Sequence, residues 1–189
     1  MLFRSITGSG GLSKIGSGSI SLSGTNTYTG ATSIHAGTLG FAPQSAPPNG
    51  TFSVDGGASL HFSFGVTVDN LTGSGSSDFS DMRVKNADFS GRASSFRIQG
   101  VSLGKLTVVT GGTAVFSGVN DWDATTIESG GTLQLGKGGA ASSSPAPFGP
   151  IQDNGTLLIN CASAVTIPVV ISGQGVVQIS GTGTTDRKS

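Results

Sequence analysis

The sequence predicts an all-β protein: a right-handed parallel β-helix (β-solenoid) with no helices of consequence. Short runs of alternating apolar and polar residues, turn residues between the runs and a long internal repeat carry this prediction. In the run 19–23, alternation places Ile20 and Leu22 on one side and the serines on the other. Glycines between such runs tolerate the positive φ that turns require, and the density of glycine and β-branched residues disfavours a helix.

Further alternating runs extend this pattern along the chain. Their apolar residues are expected to point inward and to stack on like residues one turn away, at a strand spacing of about 4.8 Å. Each large side chain buried in this way contributes roughly 1.5–3 kcal/mol. An antiparallel sandwich is the alternative, but loop lengths vary and Asn-Gly or Asp-Gly hairpin turns are scarce. The expected inward residues are Ile20, Leu22, Ile34, Leu39, Phe52, Leu60, Phe62, Val66 and Val68.

The chain contains two diverged copies of one long unit, at about 6–104 and 105–185. A Pro-rich loop at 42–50 interrupts the first copy, and a longer Gly- and Pro-rich loop at 136–150 interrupts the second. We therefore expect residues 6–185 to form one β-helix segment of a larger protein. The matching segments are 23–26 with 117–120, Tyr28 with Trp122, 31–34 with 124–127, and 37–39 with 131–133.

Residues 12–39 resemble the passenger-associated transport repeat of bacterial autotransporters, also called the autotransporter-associated β-strand repeat. The matching features are a Lys-x-Gly-x-Gly opening at Lys14, a strand that ends in Leu-Ser-Gly, an Asn-x-Tyr-x-Gly corner at Asn26, and a Gly-Thr-Leu end at Gly37. The second copy departs from this pattern. It lacks the Gly-x-Gly after Lys105, and Asp-Trp-Asp around Trp122 replaces Thr-Tyr-Thr.

The resemblance implies a structural segment of a surface-displayed or secreted autotransporter passenger. Such a passenger is exported through the outer membrane of a Gram-negative bacterium by type V secretion, with its own C-terminal translocator β-barrel as partner. The resemblance also implies that the repeats form a stalk and assist export. Because no motif supports a catalytic site, we predict no enzymatic activity. Two alternatives stay open: an adhesin-type module that binds a glycan or host surface protein through loops of the β-helix, and a β-helix polysaccharide lyase or hydrolase.

The composition agrees with a solenoid and disfavours several other classes. Gly accounts for 32 of the 189 residues, and charged residues make up 11% of the chain, against about 25% in ordinary soluble domains. Because 35% of the residues are hydrophobic and the net charge is +0, the composition is not that of a disordered chain. Zero net charge disfavours nucleic acid as a partner. The single cysteine, Cys161, excludes an internal disulfide.

No catalytic, cofactor-binding or metal-binding motif is recognisable, and we predict none of these sites and no cofactor. His35 and His61 lack Cys, His or carboxylate neighbours at ligand spacing. The Gly-x-Gly strings lack the helix N-terminus that a phosphate loop requires. Ligand contact is a candidate role for two corner aromatics and three cations, for which corner packing and solvent-facing charge are the alternatives. These residues are Tyr28, Trp122, Arg83, Lys85 and Arg92.

The lyase or hydrolase alternative requires acidic residues on one outer face of the β-helix. The charged segment 78–97 supplies the first group of candidates, and the corner around Trp122 supplies the second. No motif supports either group. The candidates are Asp78, Asp81, Arg83, Lys85 and Asp88 in the first group, and Asp121 and Asp123 in the second.

Residues 1–5 and 186–189 are expected to be non-native. Residues 2–5 can be encoded by CTC TTC CGA TCT, and the reverse complement of that string, extended by a base or two, encodes 186–189. One oligonucleotide at both ends in opposite orientations is typical of sequencing-adapter read-through. We therefore expect an internal fragment of a longer coding sequence.

Overall fold

The computed structural model describes residues 5–45, 50–62, 64–95, 97–98, 101–102, 104–138, 149–182 and 185–187. Strands and turns without any helix make up these ranges, and no membrane-spanning helix is found in them. The strands are β1 (Leu12–Lys14), β2 (Ser19–Leu22), β3 (Thr32–Ile34), β4 (Thr38–Phe41), β5 (Thr51–Val54), β6 (Ser59–Phe62), β7 (Val66–Gly73), β8 (Ser76–Phe79), β9 (Asp81–Phe89), β10 (Arg92–Ser95), β11 (Arg97–Ile98), β12 (Val101–Ser102), β13 (Lys105–Phe116), β14 (Asn120–Asp121), β15 (Ala124–Ile127), β16 (Thr132–Leu135), β17 (Ile151–Asp153), β18 (Thr156–Ile159), β19 (Val165–Ile167), β20 (Ile171–Ser172), β21 (Val176–Ile179) and β22 (Thr185–Arg187).

Parallel pairing between strands about one turn apart builds three stacks, which form three faces of a solenoid. Face 1 contains the N-terminal parts of β7, β9 and β13, followed by β15, β17 and β20. Face 2 contains β1, β3, β5, the C-terminal parts of β7, β9 and β13, and then β16, β18 and β21. Face 3 contains β2, β4, β6, β8, β10 and β14. The prediction of a parallel β-solenoid is confirmed.

The core is made of ladders of like side chains in consecutive turns. On face 2, for example, Phe116 lies between its register partners Phe89 and Leu135, and all three are fully buried. Of the nine residues expected to point inward, eight are buried. Ile20 is only partly buried but packs against the same core. The inward assignment made from alternation is therefore correct along the first half of the chain.

Two features interrupt the regular parallel turns. In β13 the register shifts between Val108 and Thr113, so residues 109–112 fill a corner that Lys85 alone fills one turn earlier. In addition, β11 and β12 pair antiparallel as a small hairpin that directly follows β10 of face 3. The sequence does not predict this hairpin, because residues 97–102 lack an Asn-Gly or Asp-Gly turn.

Parts of several predictions lie outside the described residues. These parts are 46–49 of the first loop, 139–148 of the second loop, and residues 1–4 and 188–189 of the expected non-native ends. The strands before and after each loop nevertheless belong to the same solenoid. The copy boundaries near residues 104 and 105 and the non-native origin of the ends stay predictions.

Glycines form a column at the corner between faces 2 and 3. A Cβ atom on Gly91 would lie 1.8 Å from the carbonyl oxygen of Gly75, and one on Gly118 would lie 1.9 Å from the carbonyl oxygen of Gly91. The Arg92 amide donates to that same oxygen of Gly75 at 2.9 Å. Successive turns therefore meet backbone to backbone at this corner, and a side chain has no room there.

Candidate functional site

The side chains that the two repeat copies share lie inside the solenoid. Asn26 and its counterpart Asn120 are each 1% exposed, Tyr28 is 1% exposed and Trp122 is 0% exposed. The threonines that follow the aromatic residues, Thr32 and Thr125, are buried as well. The Asn, aromatic and Thr residues that the two copies share are therefore part of the core, whereas the opening lysine is buried in the first copy, at Lys14, and exposed in the second, at Lys105.

The two aromatic residues make equivalent contacts. The hydroxyl of Tyr28 lies 2.6 Å from Oγ1 of Thr32, and Nε1 of Trp122 donates to Oγ1 of Thr125 at 2.8 Å. Burial raises the pKa of the Tyr28 hydroxyl, which the hydrogen bond with Thr32 partly offsets. Side chains this deeply buried cannot stack on a sugar at the surface. Corner packing therefore replaces ligand contact as the interpretation of Tyr28 and Trp122.

Asn26 connects three successive turns through its side-chain amide. Its Oδ1 accepts a hydrogen bond from the backbone amide of Ile6 at 2.9 Å. Its Nδ2 donates to the carbonyl oxygens of Gly24 at 2.9 Å and Ser45 at 2.5 Å. Ile6 lies one turn before Asn26 and Ser45 one turn after it. Asn26 thus acts as a clamp between turns.

Lys14, the lysine of the repeat's opening, has a comparable structural role. It is 4% exposed, and its Nζ donates to the carbonyl oxygens of Ile15, Gly16 and Ala36 at 3.2, 2.5 and 2.9 Å. Ala36 belongs to the next turn, so the ammonium joins two turns at one corner. A buried cation is tolerated here because three carbonyl oxygens replace its hydration.

We expect Asn26→Ala to destabilise the first turns by about 2–3 kcal/mol, because it leaves the buried carbonyl of Ser45 and the partly buried amide of Ile6 and carbonyl of Gly24 without their partner. The exposed Asn86 donates to Oδ1 of Asn70 at 3.2 Å, and Asn86→Ala should cost about 0.5 kcal/mol or less. Native-state hydrogen exchange measures the first effect in β1–β4 and the second in β7, β9 and β13. Equal protection in the two variants would contradict the clamp.

The two copies of the repeat do not occupy the same faces. Residues 32–34 lie on face 2, whereas the matching residues 125–127 lie on face 1. Likewise β2 lies on face 3, whereas residues 113–116, its counterparts in the second copy, lie on face 2. The second copy is therefore rotated by one face about the solenoid axis. Equivalent outward residues of the two copies consequently do not combine into a single binding surface.

The three cations proposed as ligand contacts lie at the surface but on different parts of it. Arg83 is on face 1, where its Nη2 lies 2.6 Å from Oε1 of Glu128. Lys85 is exposed at the corner between the two parts of β9. Arg92 is on face 3, with its Nη2 3.6 Å from Oδ2 of Asp121. The structure therefore does not combine these residues into one site.

Glu128 fixes the corner formed by residues 109–112. Its carboxylate accepts hydrogen bonds from Arg83 at 2.6 Å, from the Thr110 amide at 3.0 Å and from the Thr110 hydroxyl at 3.2 Å. The Arg83 hydrogen bond, followed by that of the Thr110 amide, lowers the pKa of Glu128 below its ordinary value. Arg83 thus helps to hold residues 109–112 in place. This exposed cation therefore has a structural role.

The acidic candidates for a lyase or hydrolase are distributed over three faces. Asp81 belongs to face 1 and accepts a hydrogen bond from the Lys105 amide at 3.2 Å, and Asp88 belongs to face 2 and pairs with Lys137. Asp78 and Asp121 share face 3. Within the described ranges, no cluster of His, Cys, Asp and Glu could hold a metal ion.

Asp153 is a buried carboxylate whose environment the sequence does not reveal. It ends β17 opposite Ile127, is 2% exposed, and accepts a hydrogen bond at Oδ1 from the Gly155 amide at 3.0 Å. Oδ2 is buried without a partner in the described part of the chain. Burial raises the pKa of Asp153, although hydrogen bonds from the amides of Gly155 and Leu157 lower it. The residue looks like a turn residue, and only its register with Ile127 reveals that it points inward.

We expect Asp153→Asn to stabilise the C-terminal turns by about 1–3 kcal/mol at pH 7, because the amide keeps the Gly155 hydrogen bond without burying a charge. The pKa of Asp153 is raised in the folded state, so the destabilisation caused by its buried charge is fully present at pH values above that pKa. This destabilisation disappears as the pH falls toward about 3.9, the pKa of an aspartate in the unfolded chain. Urea unfolding at pH 7 and pH 4 should therefore show a difference between the two proteins that shrinks with acid. A difference in stability that stays constant or grows at pH 4 would contradict the buried charge as its cause.

The match to a known family agrees with this geometry. The family model of the passenger-associated transport repeat matches residues 12–40 and 104–135, which are the segments that contain the buried Asn, aromatic and Thr residues. The chain carries autotransporter passenger repeats. The resemblance inferred from the sequence is thus confirmed, and so is its consequence for location. This passenger segment is exported through the outer membrane and lies at the cell surface or is secreted.

One similar protein is the Adhesin BmaC autotransporter of Brucella suis biovar 1 (strain 1330). The two sequences are 35% identical over 211 aligned residues, which include 94% of this chain and 6% of the adhesin. The chain thus spans a small fraction of that relative's length. No solved structure matches the passenger segment significantly.

Proposed function

We propose that this passenger segment forms part of a stalk and assists the export of its own passenger. The observation that carries the proposal is the use of the repeat's shared residues. Asn26 and Lys14 join neighbouring turns, and Tyr28 and Trp122 fill equivalent corners of the core. The repeat therefore encodes contacts between turns, which is what a long and regular stalk requires.

Export assistance would follow from the same contacts. Each turn of a solenoid is stabilised mainly by its neighbours, so folding can proceed turn by turn without waiting for distant parts of the chain. A chain that emerges progressively at the outer surface would fold onto the turns that are already outside. The free energy of that folding would oppose backward sliding. The expected partner is the C-terminal translocator β-barrel of the complete protein.

The test is surface delivery of the chain placed between a signal peptide and an autotransporter translocator in a Gram-negative host. Protease accessibility on intact cells measures the exported amount. Asn26→Ala should lower that amount severalfold, whereas the exposed Asn86→Ala should leave it unchanged. Equal export of both variants, with the folding defect of Asn26→Ala verified in the purified chain, would overturn the export role.

Adhesion is a second candidate function, because the 35% identical relative is named an adhesin. A stalk segment can also carry a binding surface, so the two functions are compatible. Glycan and host-protein arrays probed with the folded chain distinguish a binding segment from a purely structural one. A polysaccharide-degrading activity is the least supported candidate, since the acidic candidates are spread over three faces. Turnover of uronate polymers would test it.

A further inference from the structure

The last turn of the solenoid leaves apolar residues exposed at the end of the inward ladders. On face 2, β21 pairs with β18 along one edge, and the described ranges contain no partner for its other edge. In the strand register Val177 lies opposite Leu157, and Ile179 lies opposite Ile159. Both partners are buried, whereas Val177 is 42% and Ile179 is 58% exposed. The core is therefore open at this end.

The first turn of the solenoid is open in the same way. Within the described part of the chain, β1 pairs only with β3 and β2 only with β4. Side chains of β1, β2 and β4, together with Ile6, line a cavity of about 180 Å³. Most of these side chains are apolar, and Ile6, Leu12 and Ile20 are only partly buried. The lining residues are Ile6, Leu12, Ser13, Lys14, Ile20, Leu22 and Leu39.

The two open ends match each other in strand direction and register. Both β1 and β21 belong to face 2, on which all pairings are parallel. Leu12 lies opposite the buried Thr32 and therefore points inward, as Val177 does. When the first turn of one copy follows the last turn of another, β21 and β1 continue the sheet with Val177 opposite Leu12. The outward residues Gln178 and Ser13 are then opposite each other.

The same register brings Ile179 opposite Lys14. This pairing is acceptable, because the Lys14 ammonium already donates to three carbonyl oxygens at its own corner. The alkyl part of the lysine is then the part that packs against Ile179.

We propose that this chain associates head to tail with a second copy of itself, the last turn of one copy docking on the first turn of the next. The docking extends the ladder of Leu133, Leu157 and Val177 into the second copy and removes apolar surface from water. Unpaired strand edges are templates for such pairing. With a formal net charge of +0, the copies do not repel each other at long range. This association goes beyond the stalk and adhesion proposals and depends on neither.

Sedimentation velocity of the complete 189-residue chain over a concentration series, with a thiol reductant present, tests the association. The docking surfaces differ, so each oligomer keeps two free ends, and we expect reversible oligomers that grow beyond the dimer with concentration. Val177→Asp should lower the association constant about tenfold or more, because it places a carboxylate without a partner in the junction.

Val176→Asp is the matched control on the same strand. Val176 lies outward opposite Thr156 and is 53% exposed, so this substitution should change the association constant by about twofold or less. Both valines are exposed in the single chain, and neither substitution buries a charge there. Hydrogen exchange of β18 verifies that both variants keep the fold.

Disulfide crosslinking tests which strands meet. In a Cys161→Ser background, chains with Gln178→Cys are mixed with chains with Ser13→Cys. Opposite residues of neighbouring strands are about 4.8 Å apart, which a disulfide can bridge. We expect crosslinked dimers in the mixture and few in either chain alone.

A chain that stays monomeric at every concentration would overturn the proposal and leave the preceding and following turns of a longer passenger as the occupants of the two ends. Association of Val177→Asp as strong as that of the unsubstituted chain would overturn docking through the last turn. Crosslinking that is as strong within one kind of chain as in the mixture would overturn the head-to-tail arrangement.

Discussion

A carboxylate introduced at Val68 should unfold the turns around it. Val68 is 0% exposed and lies opposite Val84 in the inward ladder of face 1. An aspartate there would be surrounded by aliphatic side chains with no partner, which costs about 4 kcal/mol or more unless the carboxylate becomes protonated. Because turns interact mainly with their neighbours, the damage should be concentrated in β5, β7 and β9.

The adjacent Thr67 provides the matched control. It is exposed and lies opposite Arg83, so Thr67→Asp places the same charge in water near a cation. That variant should change stability by about 0.5 kcal/mol or less. Native-state hydrogen exchange compares the two proteins strand by strand. Equal loss of protection in both would contradict the inward assignment, and uniform loss as far as β18 in Val68→Asp would contradict turn-by-turn stability.

Gly91→Ala should be nearly as damaging, although it adds only one methyl group. The new Cβ would lie 1.8 Å from the carbonyl oxygen of Gly75, a backbone atom that cannot move without separating two turns. Separation would also weaken the 2.9 Å hydrogen bond from the Arg92 amide to that oxygen. We expect a loss of about 3 kcal/mol or more around β8 and β10.

Gly18→Ala is the control for this substitution. A Cβ at Gly18 would meet nothing within 4 Å, and its backbone φ is not in the left-handed region. This change should be neutral or slightly stabilising, because it reduces the conformational freedom of the unfolded chain. Urea unfolding followed by the fluorescence of Trp122, which contacts Phe79 of β8, measures the stability of Gly91→Ala. Native-state hydrogen exchange of β2 and β4 measures that of Gly18→Ala. Comparable stability of both variants would contradict the tight glycine column.

The strand positions and their inward sides could be predicted from the sequence because alternation is a local property. The alternating run 19–23, for example, contains β2 (Ser19–Leu22). The repeat could also be recognised, because its aromatic residue follows its Asn by two positions in both copies, at Tyr28 and at Trp122. Their burial could not be read from that spacing, since corner residues point inward or outward according to the path of the turn.

The surface could be predicted much less well. Whether two outward residues share a face depends on the number of residues in every intervening turn, and these lengths vary. Asn86, for example, has Asn70 as its register partner in the preceding turn and Thr113 in the following turn, so these two turns differ in length. The rotation of the second copy by one face and the placement of Asp78, Arg92 and Asp121 on one face both result from such unequal turns. A segment that appears uniformly charged in the sequence, 78–97, is therefore divided among three faces.

Distances between spin labels test the central claim, that the chain is a parallel solenoid with this register. Ser33, Gln134 and Gln178 occupy one outward column of face 2, five and seven steps apart from Ser33 along the stack. With Cys161 replaced by Ser, labels at 33 and 134 should lie about 24 Å apart and labels at 33 and 178 about 34 Å apart, at roughly 4.8 Å per step. Distances that do not increase with the number of turns, or that are equal for the two pairs, would contradict the solenoid.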